Sequence, residues 1–398
     1  MAVNLPEMGA LAPVPGIRVG SAAAGVRYSG RDDLALFELA PGTTVGGIFT
    51  RSAFRAPPVT VAASRLGRAR GLVVNSGNAN AATGEVGLRD AEQSCALAAA
   101  ALGCRGLYVL RFSRGVMGLF LPLDGMAAGV TDAAAALAAG GWEQAARAIM
   151  TTDTAPKGVS GTFDIGGHRV SATAIIKGSG MIRPDMATML AFLGTDAALS
   201  EGAVQSLARD LGARSFNRLT IDGDTSTNDA FVVAATGRSG TGDEQYDALL
   251  AALTPLVVEL AERTVRDGEG ATRFVTIVVE GGASDEECLQ VAYAVAHSPL
   301  VKTALFAGDP NWGRFCMAIG KAGVEGLEPD RVSLDLDDVR VAENGLVAPS
   351  YTEAAGAAVM RQDEFTVRIG LGRGDCRETV WTSDLSYDYV RINAEYRT

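Results

Sequence analysis

The chain has 398 residues, 47% hydrophobic and 20% charged, with a formal net charge of −11. That composition builds a large globular core, and the acidic balance argues against nucleic acid or an anionic membrane as a partner. No apolar stretch reaches the ~18 residues that span a bilayer, and Met1-Ala-Val-Asn-Leu-Pro-Glu7 lacks the basic and apolar regions of a secretory leader. The five cysteines (Cys95, Cys104, Cys288, Cys316, Cys376) are odd in number and lack C-x-x-C spacing. They fit reduced thiols in a cytoplasm, the expected location. His168 and His297 are the only histidines, and neither sits in a metal pattern. Neither a metal site nor a serine–histidine relay is expected.

In chain order, residues 1 to about 120 read as short strands with glycine-rich turns, such as Gly46–Thr50 and Gly71–Asn75. Gly87 to Gly103 has helical composition and period, and a second helix is expected over about Asp132 to Met150. Strands follow near Gly161–Ile165 and Arg169–Ile176, joined by a Gly-Gly turn. Beyond Thr188, Ser200–Leu211 is helical with Ser200 as N-cap. Phe231–Ala235 is a strand, Tyr246–Arg266 a long amphipathic helix, Phe274–Glu280 a strand and Asp285–His297 a helix. Alternating strands are expected from there to the C-terminus. Mixed helices and antiparallel-looking strands predict an α+β layered fold.

Three polar stretches interrupt this pattern. Lys177-Gly-Ser-Gly-Met-Ile-Arg-Pro-Asp-Met-Ala-Thr188 follows the apolar Ala174-Ile-Ile176 and precedes the apolar Met189-Leu-Ala-Phe-Leu193. On spacing alone it is a loop between a strand and a buried helix, although its glycines let backbone N–H groups approach an anion or a strained peptide. Asn217 to Asp229 resembles a calcium loop but has Val233 where the twelfth-position glutamate belongs. A network of turn hydrogen bonds is the better reading. Asp267-Gly-Glu-Gly-Ala-Thr272 is a helix end with a loop, or a carboxylate held among glycines for an ammonium group. Gly370-Leu-Gly-Arg-Gly374 is not followed by a helix, so no dinucleotide site is expected, and no phosphate loop of the Walker type exists.

Lys177 to Ala197 resembles the ornithine acetyltransferase family, bifunctional glutamate N-acetyltransferases. So do Val74–Asn80, Thr151–Thr154, Ser215–Thr220, Asp222–Asp229, Asp267–Thr272, Ser298–Thr303, Gly308–Arg314 and Asp384–Thr398. The likeness runs through essentially the whole chain. It implies a layered αββα sandwich of the N-terminal-nucleophile-like type with a smaller C-terminal α/β region. It implies self-cleavage between Ala187 and Thr188 into an α chain (1–187) and a β chain (188–398), with a C-terminal subdomain from about 280, and assembly as α2β2. It implies transfer of acetyl from N2-acetyl-ornithine to glutamate, with acetyl-CoA as an alternative donor and no cofactor. The substrate contacts it implies are Thr154, Lys177, Thr188, Glu269, Asn393 and Thr398. A free α-amine on Thr188, of ordinary pKa about 7.7–8, would be the base for its own hydroxyl.

Ser113-Arg-Gly-Val-Met-Gly118 stands where the family has Ser-Thr-Gly-Val-Ile-Gly. Gly115 keeps the backbone N–H of the implied oxyanion hole, and Arg114 replaces the threonine. Arg114 either supplies a charged donor or points to solvent. Arg183 and Asp185 also replace alanine and asparagine beside the cut. These departures keep two other readings open: a paralogous N-acyltransferase or amide hydrolase with a different amino-acid-like substrate, and a non-catalytic relative.

Overall fold

The strand Leu34–Leu39 (β2) reads Leu-Ala-Leu-Phe-Glu-Leu and Ala230–Ala235 (β11) reads Ala-Phe-Val-Val-Ala-Ala. Strands this apolar require cover on both faces. The computed structural model, which describes residues 2–183 and 189–395, shows how they obtain it. The chain divides into two compact units. Of the described residues, the larger comprises 7–183, 189–217 and Asp224–Thr264, and the smaller 2–6, Arg218–Gly223 and 265–395.

Two sheets form the middle of the larger unit. One has the order β1-β2-β5-β6, adding Ile17–Ala22 (β1), Gly71–Asn75 (β5) and Val109–Ser113 (β6). The other has the order β4-β3-β11-β9-β8-β7. Its further strands are Thr44–Phe49 (β3), Gly67–Arg68 (β4), Lys157–Ile165 (β7), His168–Lys177 (β8) and Leu190–Thr195 (β9). Phe37 and Phe112 of the first sheet meet Phe192 of the second, with ring centroids 5.4 and 5.1 Å apart. Such aromatic pairs add to the burial that joins the layers. Leu34, Leu36 and Val73 face the other way, onto Cys95 and Ala98 of Gly84–Ala101 (α2) and Met126 and Val130 of Leu123–Ala135 (α3). Glu201–Arg214 (α5) covers β3 and β11. The order helix, sheet, sheet, helix is the expected α+β αββα sandwich. The remaining helices of this unit are Pro57–Ala63 (α1), Trp142–Ala148 (α4) and Tyr246–Arg266 (α6), whose last residues pass into the smaller unit.

Two expectations need correction here. The helix foreseen over Asp132–Met150 is broken into α3 and α4. Ala138 bridges to Val19 of β1 at the break, and Gly140-Gly141 offers poor helix propensity there. Met189–Leu193 leads into a strand, not a helix. β9 pairs antiparallel with β8 and parallel with β11, and the two-sided cover makes its pattern continuous.

The smaller unit holds a seven-stranded sheet, β10-β17-β12-β16-β13-β14-β15. Its strands are Leu219–Thr220 (β10), Phe274–Gly282 (β12), Ser333–Leu336 (β13), Val339–Glu343 (β14), Leu346–Val347 (β15), Glu364–Gly370 (β16) and Cys376–Ser383 (β17). Asp285–Ala296 (α7) packs on β12 and β17, capped where Ser284 Oγ accepts the Glu287 N–H. The strands expected after His297 are preceded by two more helices, Pro299–Ala307 (α8) and Trp312–Gly320 (α9). Ser298 caps α8, and Pro299 suits its first turn because its missing N–H would be unpaired anyway. Glu353–Met360 (α10) and Tyr387–Glu395 (α11) complete the unit. Residue 280 falls near the end of β12, inside this unit. No described helix is long and apolar enough to cross a membrane, and all five cysteines are free thiols.

Candidate active site

β6 ends at Ser113, and the loop that follows is held by amides. Asn75 Oδ1 accepts from Ser113 Oγ at 2.8 Å, and Asn228 Nδ2 donates to the carbonyls of Ala79 and Ser113 at 2.7 and 3.0 Å. Gly115 has φ 131°, and a Cβ there would lie 2.2 Å from the Gly77 carbonyl carbon. Only glycine fits, because the Gly77–Asn78 backbone occupies the space a side chain would need. Among the described residues no acceptor takes the Gly115 N–H.

Lys177, buried, ends β8. Its neighbour Gly178 donates its N–H to Asp153 Oδ1 at 2.7 Å. The same oxygen accepts from the buried Lys157 Nζ at 2.7 Å, and Asp153 Oδ2 accepts the Thr151 N–H at 2.9 Å. Burial alone would raise the Asp153 pKa, but Lys157 and Lys177 outweigh it and hold the carboxyl far below its ordinary range. Thr154 is exposed beside it, and Thr152 Oγ1 bonds Ser179 Oγ at 2.7 Å. A folded pKa below the unfolded value means that Asp153 stabilises the fold above about pH 3.8 and less as pH falls from there. Asp153→Asn is expected to cost about 3–5 kcal/mol at neutral pH, because it leaves Lys157 buried without its counter-charge. The variant's deficit should shrink as pH drops from about 5 to about 3, measured by urea unfolding. A constant deficit would contradict the pairing.

Arg114 is buried, contrary to the solvent-facing alternative. Its guanidinium donates to Ser226 Oγ and lies 3.5 Å from Asp229 Oδ1. Asp229 Oδ2 accepts the Ser226 N–H at 3.2 Å. Burial pushes the Asp229 pKa up to about 7, against the lowering effects of Arg114, the Ser226 N–H and Lys177. The fold thus forms two buried pairs, Lys157 with Asp153 and Arg114 with Asp229, and the charge of Lys177 favours the ionised form of both carboxyls. Asp229 also neighbours the proposed cut along the backbone, since the Ala230 N–H bonds the Met189 carbonyl at 3.1 Å. Sequence reasoning missed Asp153, Lys157, Asn228 and Asp229 as members of this cluster. The available signal was a carboxylate directly before the all-apolar strand β11.

Within the smaller unit, the structure brings Glu269 and Asn393 together. Asn393 Nδ2, on α11, donates to Glu269 Oε2 at 2.9 Å. The stretch Asn217–Asp229 is shared out: Thr220 and Asp222 belong to the smaller unit, Ser226 to Asp229 to the larger. Ala187, Thr188 and Thr398 lie outside the described residues. Among the described residues no group of three His, Cys, Asp or Glu side chains is arranged to hold a metal.

A glycine N–H that meets no acceptor among the described residues, next to the buried Arg114, suits a reaction that develops negative charge on a carbonyl oxygen, as acyl transfer does. Residues 18–398 match the model of the ArgJ family. The chain is 49% identical to the arginine biosynthesis bifunctional protein ArgJ of Pseudomonas syringae pv. tomato, and 49% identical to that of Pseudomonas fluorescens. Each alignment covers 100% of both chains. Among solved structures, argJ of Bacillus halodurans is 35% identical, with 50% of this chain and 96% of that chain covered and a TM-score of 0.48. Ornithine acetyltransferase of Mycobacterium tuberculosis, complexed with ornithine, is 34% identical over 44% of this chain and 93% of that one, with a TM-score of 0.38. The chain belongs to the ArgJ family, and its activity is acetyl transfer in arginine biosynthesis.

Proposed function

We propose that the precursor cuts itself between Ala187 and Thr188, and that Thr188 then carries acetyl from N2-acetyl-ornithine to glutamate. The observation that carries this reading is the full-length match to ArgJ proteins. In the cut, the Thr188 hydroxyl attacks the Ala187 carbonyl, and the peptide C–N bond breaks as an ester forms. Water then hydrolyses the ester and leaves a free α-amine. In turnover that amine accepts the hydroxyl proton as the oxygen attacks the acetyl carbonyl. Ornithine leaves, and the glutamate amine takes the acetyl group from the ester.

The Gly115 N–H is the oxyanion donor in this scheme. One such donor is worth on the order of 10²–10³ in rate. Lys177 binds the substrate α-carboxylate, Glu269 the side-chain ammonium of ornithine, and Thr154, Asn393 and Thr398 complete the contacts. Acetyl-CoA is the alternative donor, and the reaction needs no cofactor. The α and β chains stay joined as α2β2 in the cytoplasm. Supporting this, β8 and β9 flank the cut and pair through six residues, and β3 and β11 pair through six more.

The test is an intact-mass spectrum before and after incubation with N2-acetyl-ornithine. Two chains beginning at residues 1 and 188 are expected, with one acetyl added to the β chain. An uncut chain, or an acetyl group on the α chain, would refute the scheme. A single native species that separates into two bands only under denaturing conditions is expected from the strand pairing.

A further inference from the structure

Two groups of residues have no role so far: Ser298–Thr303, which contains Lys302, and Asp384 with Ser386. In the smaller unit the second meets the loop Asp267–Thr272, which carries Glu269, and the first meets the backbone beside the second at Lys302. Asp384 is buried. Its Oδ1 accepts the N–H groups of Thr272 at 2.8 Å and Arg273 at 3.0 Å, and its Oδ2 accepts Thr272 Oγ1 at 2.6 Å. Ser386 Oγ donates to the Gly270 carbonyl at 2.6 Å and accepts the Tyr389 N–H at 3.1 Å. One hydroxyl therefore ties the loop of Glu269 to the first turn of α11, the helix of Asn393. The approach is close: Gly270 has φ 66°, and a Cβ there would lie 2.3 Å from Tyr389 N.

Lys302 stands behind this junction. Its buried Nζ donates to Thr382 Oγ1 at 3.0 Å and to the Ser383 carbonyl, and its own carbonyl accepts the Leu385 N–H at 3.2 Å. Burial lowers its pKa to about 8, while Asp384 and Asp222 favour the charged form. Carboxylate hydrogen bonds of this kind are strong and directional. A buried acid that accepts three of them from one loop fixes that loop more firmly than a turn requires. The Glu269 carboxylate is thereby presented to its partner Asn393 in one orientation.

We propose that Asp384 and Ser386 are positioning residues for substrate selection. They lock the Glu269 loop to α11, and the enzyme's preference for a donor bearing a side-chain ammonium depends on that lock. The proposal rests on the assignment of Glu269 to the ammonium group.

The experiment compares kcat/KM of the mature enzyme for N2-acetyl-ornithine and for N2-acetyl-norvaline, which lacks the side-chain amine. Glu269→Gln is expected to abolish the preference. Asp384→Asn is expected to lower it on the order of 10-fold, mainly through KM of the charged donor, and Ser386→Ala about 3-fold. In the Glu269→Gln background, Asp384→Asn should change the preference less than about 2-fold, because the two residues act through one contact. If Asp384→Asn does not fold, Ser386→Ala decides. Equal losses for both donors, or an unchanged preference, would overturn the proposal while Glu269→Gln still lost it. A Glu269→Gln variant that kept the wild-type preference would overturn the Glu269 assignment and this proposal with it.

Discussion

A Thr188→Ala precursor is expected to run as one full-length band and to gain no acetyl group. Turnover should fall on the order of 10⁶-fold or below detection. The chemistry leaves little alternative. A hydroxyl is a weak nucleophile without a base, and in the scheme above the base is an α-amine that exists only after the cut. The substitution removes the hydroxyl that makes the cut, and so removes both groups at once. Thr188→Ser keeps a hydroxyl and is expected to retain two bands. His168 is exposed, and His297 is spent on a contact with Thr220 Oγ1 at 3.0 Å. Neither offers a second route. Cleavage of Thr188→Ala at the same bond would show that another nucleophile acts and would end the reading.

Arg114→Thr is expected to cost about 3–5 kcal/mol of stability at about pH 8.5, where the Asp229 carboxylate is left buried without its counter-charge, and Asp229→Asn less, because burial already favours the neutral acid. Each leaves a buried charge or dipole without its partner. The double variant should fall short of the sum by about 1–3 kcal/mol, because the two residues share one interaction. The pH dependence has a definite sign. The Asp229 pKa is raised from 3.8 to about 7, so the stabilising contribution of its protonated form is fully present below about pH 3.8 and is lost as pH rises through about 7. Arg114 opposes that loss by favouring the carboxylate. Without Arg114 the pKa climbs further, and the deficit of Arg114→Thr should be larger at about pH 8.5 than at about pH 5.5. Denaturant midpoints across this range are the measurement. Strict additivity, or a deficit independent of pH, would show that Arg114 and Asp229 are not coupled.

The legible part of the site was its chemistry along the chain. Lys177 at the end of an apolar strand and Glu269 among glycines stand out, because charged and glycine residues beside apolar runs are conspicuous, whereas Gly115 was marked only by the resemblance. Gly115 proves to need its glycine for a contact with Gly77, which lies 38 positions earlier. The illegible part was pairing. Asp153 and Lys157 carry no local signal of pairing, and only the fold makes them a buried ion pair. Arg114 read as either a donor or a solvent-facing residue. Its partner Asp229 lies more than a hundred residues away, so no local pattern could connect them.

The order of residues by itself determined the periodic elements: α2, α5, α6 and α7, the hairpin of β7 and β8, the α+β class, and the family. The elements and the class follow from side-chain periodicity, caps and turns, which act over a few residues, and the family from the motif resemblance. Only the tertiary structure decided the rest. The break between α3 and α4 depends on a bridge to β1, and β9 is a strand because β8 and β11 flank it. The buried pairs Lys157–Asp153 and Arg114–Asp229 exist because the fold brings distant ends and adjoining loops together in the larger unit. Burial removes the water that would otherwise screen those charges, and burial is a property of the assembled layers rather than of any one segment.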